Sequence, residues 1–274
     1  MIFGLSLPAD VLPAFATWFV FLALLSIASV ALGFALERSA FGQRNRVWTP
    51  RPWEGQYAFE SRSAVRFTLL ASMLFALATA DLGLGAQGGA LVVFGDTTWA
   101  TGILSFVLPW GFFEVFYYVV HRALHTRRGV PFHRHHHRSV VGTPITGLSM
   151  GWLETLAWQV GYLTPVALMS FVMPVSLPVW LGFLVYHWGG NLLGHINVEI
   201  VGRPFGTRAW SWALHPFTYH ALHHARWTGH YALYSTYFDR WFGTEWADWP
   251  ELHERVVSGT PLSDKKVKGQ QAPG

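Results

Sequence analysis

The chain has 274 residues, of which 51% are hydrophobic and 12% charged, with a formal net charge of +4. A soluble globular domain holds about 25% charged residues, so the composition points to a membrane protein. The small positive balance calls for no nucleic-acid partner, because juxtamembrane arginines can face anionic lipid. The absence of cysteine excludes disulfides, thiolate catalysis and Cys-ligated iron–sulfur clusters, leaving His and carboxylate to hold any metal.

In chain order, five apolar runs have the roughly 20 residues that a helix needs to cross the hydrocarbon core: 11–36, 65–84, 99–120, 152–173 and 177–193. No Lys or Arg precedes Arg38, so the first run lacks the positive region of a cleaved signal peptide and reads as a retained span. The linker QRNRVWTPRPWEGQ that follows it is rich in Pro and Arg, which argues against a long helix. Pro174 and Pro178 mark a tight hairpin between the last two runs. All 19 Lys and Arg fall within 38–66, 122–138 and 203–268. Cytoplasmic loops accumulate Lys and Arg, and five spans with the N-terminus outside put all three stretches on the cytoplasmic side. Six of the 15 tryptophans lie between 210 and 249, where they suit a membrane–water interface.

These readings predict an all-α integral membrane protein: about five spanning helices carrying a cytoplasmic, histidine-rich di-metal cap. An anchor section and linker occupy 1–98, a catalytic section 99–250, and a disordered tail 251–274, whose end SGTPLSDKKVKGQQAPG is polar and contains Pro and Gly.

Thirteen of the 14 histidines lie in 99–250, most of them in three clusters. His121 and His125 are i and i+4 and share one helical face. His133, His136 and His137 are i, i+3 and i+4, and His220, His223 and His224 repeat that H-x-x-H-H spacing. Neighbouring imidazoles in each cluster can converge on one point, and neutral imidazole suits iron, copper or zinc. Eight such ligands exceed the coordination number of one metal, so a two-metal centre is the economical reading. His135 lies some 200° around a helix from His133 and should face away.

The boxes H-x-x-x-H, H-x-x-H-H and H-x-x-H-H, separated by membrane hairpins, resemble the membrane fatty acid hydroxylase/sterol desaturase superfamily. EVFYYVVHRALH is similar to that family's approach to its first box. GHINVEI resembles its H-x-N element, and HHARWTGHYALYSTYFDRWFGTE resembles its ending. The resemblance implies a non-haem centre of two iron ions that uses O2 to hydroxylate or desaturate a membrane lipid: a fatty acyl chain, a sterol or terpenoid, an ether lipid or a carotenoid. It implies His121, His125, His133, His136, His137, His220, His223 and His224 as ligands, with His195 as a ninth and Asn197 in support. Two departures stand out. His230 replaces the Asn of G-N-Y, where it reads as a loop residue or a supporting donor. Gly151 stands where many relatives place a histidine.

With no cysteine and no cytochrome-like segment, electrons must come from a separate donor of cytochrome, ferredoxin or reductase type. Glu114 lies seven residues before His121, about 700° of helix and so nearly the same face, and is expected to orient a ligand imidazole. Asp239 is expected to cap or support, Glu154 to sit at the interface, and His253 to be solvated. His187 is open between facing the site and satisfying a neighbouring span. A bis-histidine haem protein for electron transfer is the rival reading.

Overall fold

The computed structural model describes residues 10–85 and 88–263, and among these it is helical, with three isolated β-bridges and no strand. The helices are α1 (Val11–Arg38), α2 (Ala40–Arg44), α3 (Gln56–Thr79), α4 (Trp99–Leu124), α5 (Val130–His133), α6 (Trp152–Ser170), α7 (Leu177–Leu184), α8 (Gly190–Gly194), α9 (Phe217–Arg226), α10 (Tyr237–Trp241) and α11 (Trp249–Val257).

Helices α1, α3 and α4 are long and apolar enough to cross a membrane. They present large apolar side chains outward, Leu24, Ile27, Val107 and Val119 among them, as a helix facing lipid must. Five such helices were expected, and among the described residues there are three. The fourth run forms α6, 19 residues long, which carries Glu154, Gln159 and Pro165 on its buried face. The fifth breaks into α7, a π-helical turn over Val185–Gly189, and α8. The α6–α7 hairpin nevertheless runs the length of α4. At its tip the Val175 N–H donates to the Val93 carbonyl at 2.9 Å, and the Ser176 N–H donates to Ser105 Oγ at 3.0 Å.

Helix α3 begins nine residues before the apolar run predicted for it, because its polar first turns are held. Buried Glu60 accepts from Gln56 Nε2 (2.8 Å), Ser139 Oγ (2.7 Å), Thr143 Oγ1 (2.5 Å) and Thr146 Oγ1 (2.7 Å). That knot pins loop 139–146 beneath the bundle.

The bundle core is aromatic. Trp18 meets Phe75 and Trp180 edge-on at 5.1 and 5.4 Å, and Trp188 Nε1 donates to Ser26 Oγ at 2.9 Å. A second core of Val47, Trp48, Tyr219, Leu222, Trp249, Leu252, Val256 and Leu262 forms the cap at the α9–α11 end. Residues 251–263, expected within the disordered tail, therefore include most of α11 and pack in this core. The remainder of the expected tail, 264–274, lies outside the described residues.

Candidate metal centre

The first box sits where α4 ends. His121 is in its last turn and His125 is its C-cap. The second box is not one continuous helix: His133 closes the one-turn α5, and His136 and His137 open a tighter 3-10 turn. The third box lies on α9, and His195 caps α8.

These elements bring all nine predicted ligand histidines together, in two groups. His121, His125, His133, His137 and His223 form one, and His136, His195, His220 and His224 the other, with ligand atoms in each lying within 4.8 Å of one another. The adjacent pairs divide between the groups. The rings of His136 and His137 are 89° apart, as are those of His223 and His224. Convergence of each box on a single point is thus corrected: each H-x-x-H-H box serves both groups.

Hydrogen bonding fixes the tautomers. Nδ1–H donates outward to backbone carbonyls from His121 (Tyr231, 2.9 Å), His136 (Ser149, 3.3 Å), His195 (Asn191, 2.6 Å), His223 (Gly229, 2.8 Å) and His224 (Ser139, 3.1 Å). A carbonyl only accepts, so the proton of each neutral ring is on Nδ1 and the Nε2 lone pair points inward. Nε2 of His136 then meets Nε2 of His195 at 3.3 Å with no proton between them. His121 and His133 repeat the arrangement at 3.2 Å, with His133 Nδ1 held by Glu154 Oε1 at 2.7 Å. Facing lone pairs repel, and a cation between them removes the repulsion. Burial pushes the His125 and His133 pKa values down to about 3 and that of His195 down to about 4. Burial first, then neighbouring imidazoles, lowers His137, His220, His223 and His224 well below the ordinary value. Neutral rings in an all-nitrogen donor set fit a transition metal of borderline softness.

The model of the fatty acid hydroxylase family matches residues 106–244, half of the chain and nearly all of the histidine framework. The chain belongs to the fatty acid hydroxylase family. Among curated proteins it is similar to very-long-chain aldehyde decarbonylase GL1-6 of Oryza sativa subsp. indica, at 32% identity over 171 residues, covering 59% of this chain and 26% of that protein. It is also similar to very-long-chain aldehyde decarbonylase CER1 of Arabidopsis thaliana, 26% identical over 166 residues, covering 57% of this chain and 25% of that protein. Protein CER1-like 1 of Arabidopsis thaliana is 29% identical over 162 residues, with coverage of 57% and 25%. The chain thus spans about a quarter of the length of these relatives. No solved structure matches it.

Around this fatty acid hydroxylase framework the supporting residues differ from expectation. Glu114 touches no described imidazole: its Oε2 accepts from Ser235 Oγ at 3.4 Å, and Oε1 has no partner among the described residues. The carboxylate that orients a ligand is Glu154, buried in the first turn of α6. Seven-residue spacing pointed along α4, whereas the real partner arrives from another helix, and no local pattern announces it.

Asp239 acts at one remove. It accepts from the N–H groups of Tyr231 (2.8 Å) and Ala232 (2.9 Å) and from the hydroxyls of Tyr219 (3.0 Å) and Thr244 (2.6 Å). It thereby fixes the peptide whose carbonyl takes His121 Nδ1–H. His230 lies in neither group. It donates to the Tyr219 carbonyl and accepts from the Trp246 N–H, both at 2.9 Å, with its ring stacked 3.5 Å from that of Tyr219. This holds Gly229, whose carbonyl takes His223 and whose φ of +70° glycine tolerates best. Asn197 brackets Trp48, accepting from its N–H at 2.7 Å and donating to its carbonyl at 3.0 Å. It anchors the chain just past His195.

His135 lies outside both groups, 2.8 Å from Ser63 Oγ. His253 is buried, not solvated, with Nε2 3.1 Å from the Val201 carbonyl. His187 is buried in the π turn, with neither ring nitrogen partnered among the described residues. It lines an aromatic cavity with Phe113, Trp158 and Tyr162. That cavity shares Asn191 and Leu233 with a second one reaching His195 and His220.

Proposed function

We propose that this chain is a membrane-bound di-iron oxidoreductase that uses O2 to hydroxylate or desaturate a lipid chain. One observation carries the reading: nine imidazoles, eight of them buried and His125 partly so, gather in groups of five and four, and six of them turn an outer nitrogen to a backbone carbonyl or a carboxylate. Bound iron supplies the O2 activation and redox chemistry that attack on an unactivated C–H bond demands, which a Lewis acid such as zinc does not.

The chain's own part is positioning. Glu154 and the carbonyls of Ser139, Ser149, Asn191, Gly229 and Tyr231 hold six of the imidazoles aimed inward, the outer support that sets metal affinity. Two small cavities, one at His187 and one at His195, share the lining residues Asn191 and Leu233 and mark where the bundle interior approaches the second group. Sidedness follows from the charge pattern: N-terminus outside, histidine groups on the cytoplasmic side, where a separate electron donor reaches them. A bis-histidine haem suits this donor set less well, because a porphyrin takes one imidazole on each face rather than clusters of five and four.

The names of the relatives favour a second reading, in which the lipid is a very-long-chain aldehyde and the reaction removes its carbonyl carbon. The metal requirement is the same in both.

Purified full-length protein should contain two irons per chain and show no haem absorption band. A single tightly bound metal or a Soret band overturns the reading. Comparing the lipids of cells with and without the gene then separates the reactions. Gain of one oxygen marks hydroxylation, loss of two hydrogens marks desaturation, and a shortened alkane marks aldehyde cleavage.

A further inference from the structure

Beside the first histidine group, and separate from the aromatic cavities, lies a cavity of about 590 Å³. Its charged lining is entirely basic: Arg134 and Arg138, with His135 between them and no carboxylate. Neither arginine forms an ion pair with a described carboxylate, although Arg203, Arg208, Arg226 and Arg240 all do. Arg138 lies over the rings of Trp53 (4.5 Å) and Phe59 (4.8 Å). That stacking occupies the faces of the guanidinium and leaves its N–H edge directed elsewhere. The rest of the wall is aromatic. Phe132 and Trp152 are 46% and 59% exposed.

The position of the cavity ties it to the metal centre. Trp227 lines it and packs 4.7 Å from the ring of His137, so one ring separates the cavity from the first group. Leu153, also in the lining, directly precedes Glu154, which holds His133.

The cavity is open on one side, and its volume falls in the range of small-molecule sites. A fatty-acid carboxylate alone would fill little of it. Unpaired arginine forks recognise phosphate oxygens, and flat aromatic walls accept a planar or apolar portion beside them.

We propose that this cavity seats the phosphate-bearing head group of the amphiphile whose chain the enzyme oxidises. The assignment rests on the reading of the chain as a lipid-oxidising enzyme and narrows its substrate to a lipid with an anionic, phosphate-linked head. A neutral aldehyde would leave both arginines without a partner.

The test is equilibrium binding to the full-length protein in a neutral maltoside detergent, with dodecyl phosphate, dodecanol and inorganic phosphate as probes. Dodecyl phosphate should bind at least tenfold more tightly than either of the others, and its affinity should fall with added salt. The double variant Arg134→Gln/Arg138→Gln should lose at least tenfold in dodecyl phosphate affinity, whereas Arg203→Gln should not change it. Equal binding of dodecanol, equal binding of inorganic phosphate, or an unchanged double variant overturns the assignment. Iron analysis and size-exclusion profiles on the same samples keep the two claims apart. Loss of the arginine effect with two irons present defeats only the head-group site. Arginine-dependent binding in protein that cannot be loaded with iron defeats the metal reading.

Discussion

Two buried polar regions lie side by side in the cap, and they solve opposite problems. Around Asp239, four donors meet two carboxylate oxygens, so every polar atom of that side chain is matched. In the histidine centre six of the nine rings have an outer nitrogen matched in the same way, but the inner nitrogens face each other across 2.9–3.3 Å. The first region is complete as protein. The second is complete only with cations in it, and this separates a structural polar cluster from a metal site when both are equally buried.

The strongest way to break the contrast is to remove one member from each side. His136→Ala should lower iron content and reduce turnover by orders of magnitude while the metal-free protein loses less stability than His230→Ala costs, because the hydrogen bond lost to Ser149 is long at 3.3 Å and a lone pair repelled by His195 goes with it. His230→Ala should do the reverse. Iron should fall only slightly, through the loosened Gly229 carbonyl, while stability drops by about 2–4 kcal/mol through loss of the stacked ring and an unpaired Trp246 N–H. Iron analysis and melting curves on both variants check this, and equal iron loss in the two would erase the distinction.

Asp239→Ala tests the complete region more severely. It leaves two backbone N–H groups and two hydroxyls without their acceptor and should cost about 3–5 kcal/mol. Because the Tyr231 carbonyl then loses its anchor, iron affinity should fall too, but only as a consequence of the disturbed fold. A variant that melts normally yet loses iron would place Asp239 at the metal itself.

Acid should also separate the regions. His125 and His133 titrate near 3 in the fold against 6.5 in a free imidazole, so between those values the unfolded chain binds protons that the folded chain refuses. Stability therefore falls as pH drops below about 6.5, by about 1.4 kcal/mol per imidazole for the first unit. The two together should remove about 2.7 kcal/mol by pH 5.5, and iron release acts in the same direction. Asp239 works the other way: burial raises its pKa to about 6, so acidification between about 6 and 3.8 favours the fold there. Melting temperatures between pH 7.5 and 5.5 should fall with acidification, and a rise would show that the imidazoles are charged in the folded protein.

Much of the centre was legible in the sequence because metal ligation depends on side-chain type and spacing, and those are what a sequence displays. All nine histidines of the two groups were named from the boxes and the H-x-N element. The division of each HH pair was not read from the spacing, although in both boxes the i and i+4 members stay together, His133 with His137 and His220 with His224, while the i+3 member joins the other group, as adjacent helical residues about 100° apart allow. The carbonyl acceptors are invisible for a simpler reason: every residue has one. His253 read as solvated because it lies past the catalytic section, yet α11 folds back to bury it. The count of five spans came from hydropathy alone, and α6 and α7 lose apolar length to buried polar residues and to the π turn.

The smallest effect settles which glutamate matters. Glu154→Gln keeps a carbonyl acceptor for His133 Nδ1–H but removes the charge that strengthens it, so iron affinity should fall by about 10–100-fold, the usual cost of weakening an outer partner. Glu114→Gln removes a carboxylate held by the Ser235 hydroxyl at 3.4 Å and by the Tyr234 backbone, with its Oε1 unpartnered in the hydrogen-bond geometry of the described residues. Burying a neutral amide in place of that group should change stability by less than about 1 kcal/mol and leave iron affinity unaltered. Metal titration of the two variants side by side decides between them. Were Glu114→Gln the one to release iron, helix-face spacing along α4 would have been the better guide, and the Glu154–His133 contact at 2.7 Å would be an ordinary buried hydrogen bond.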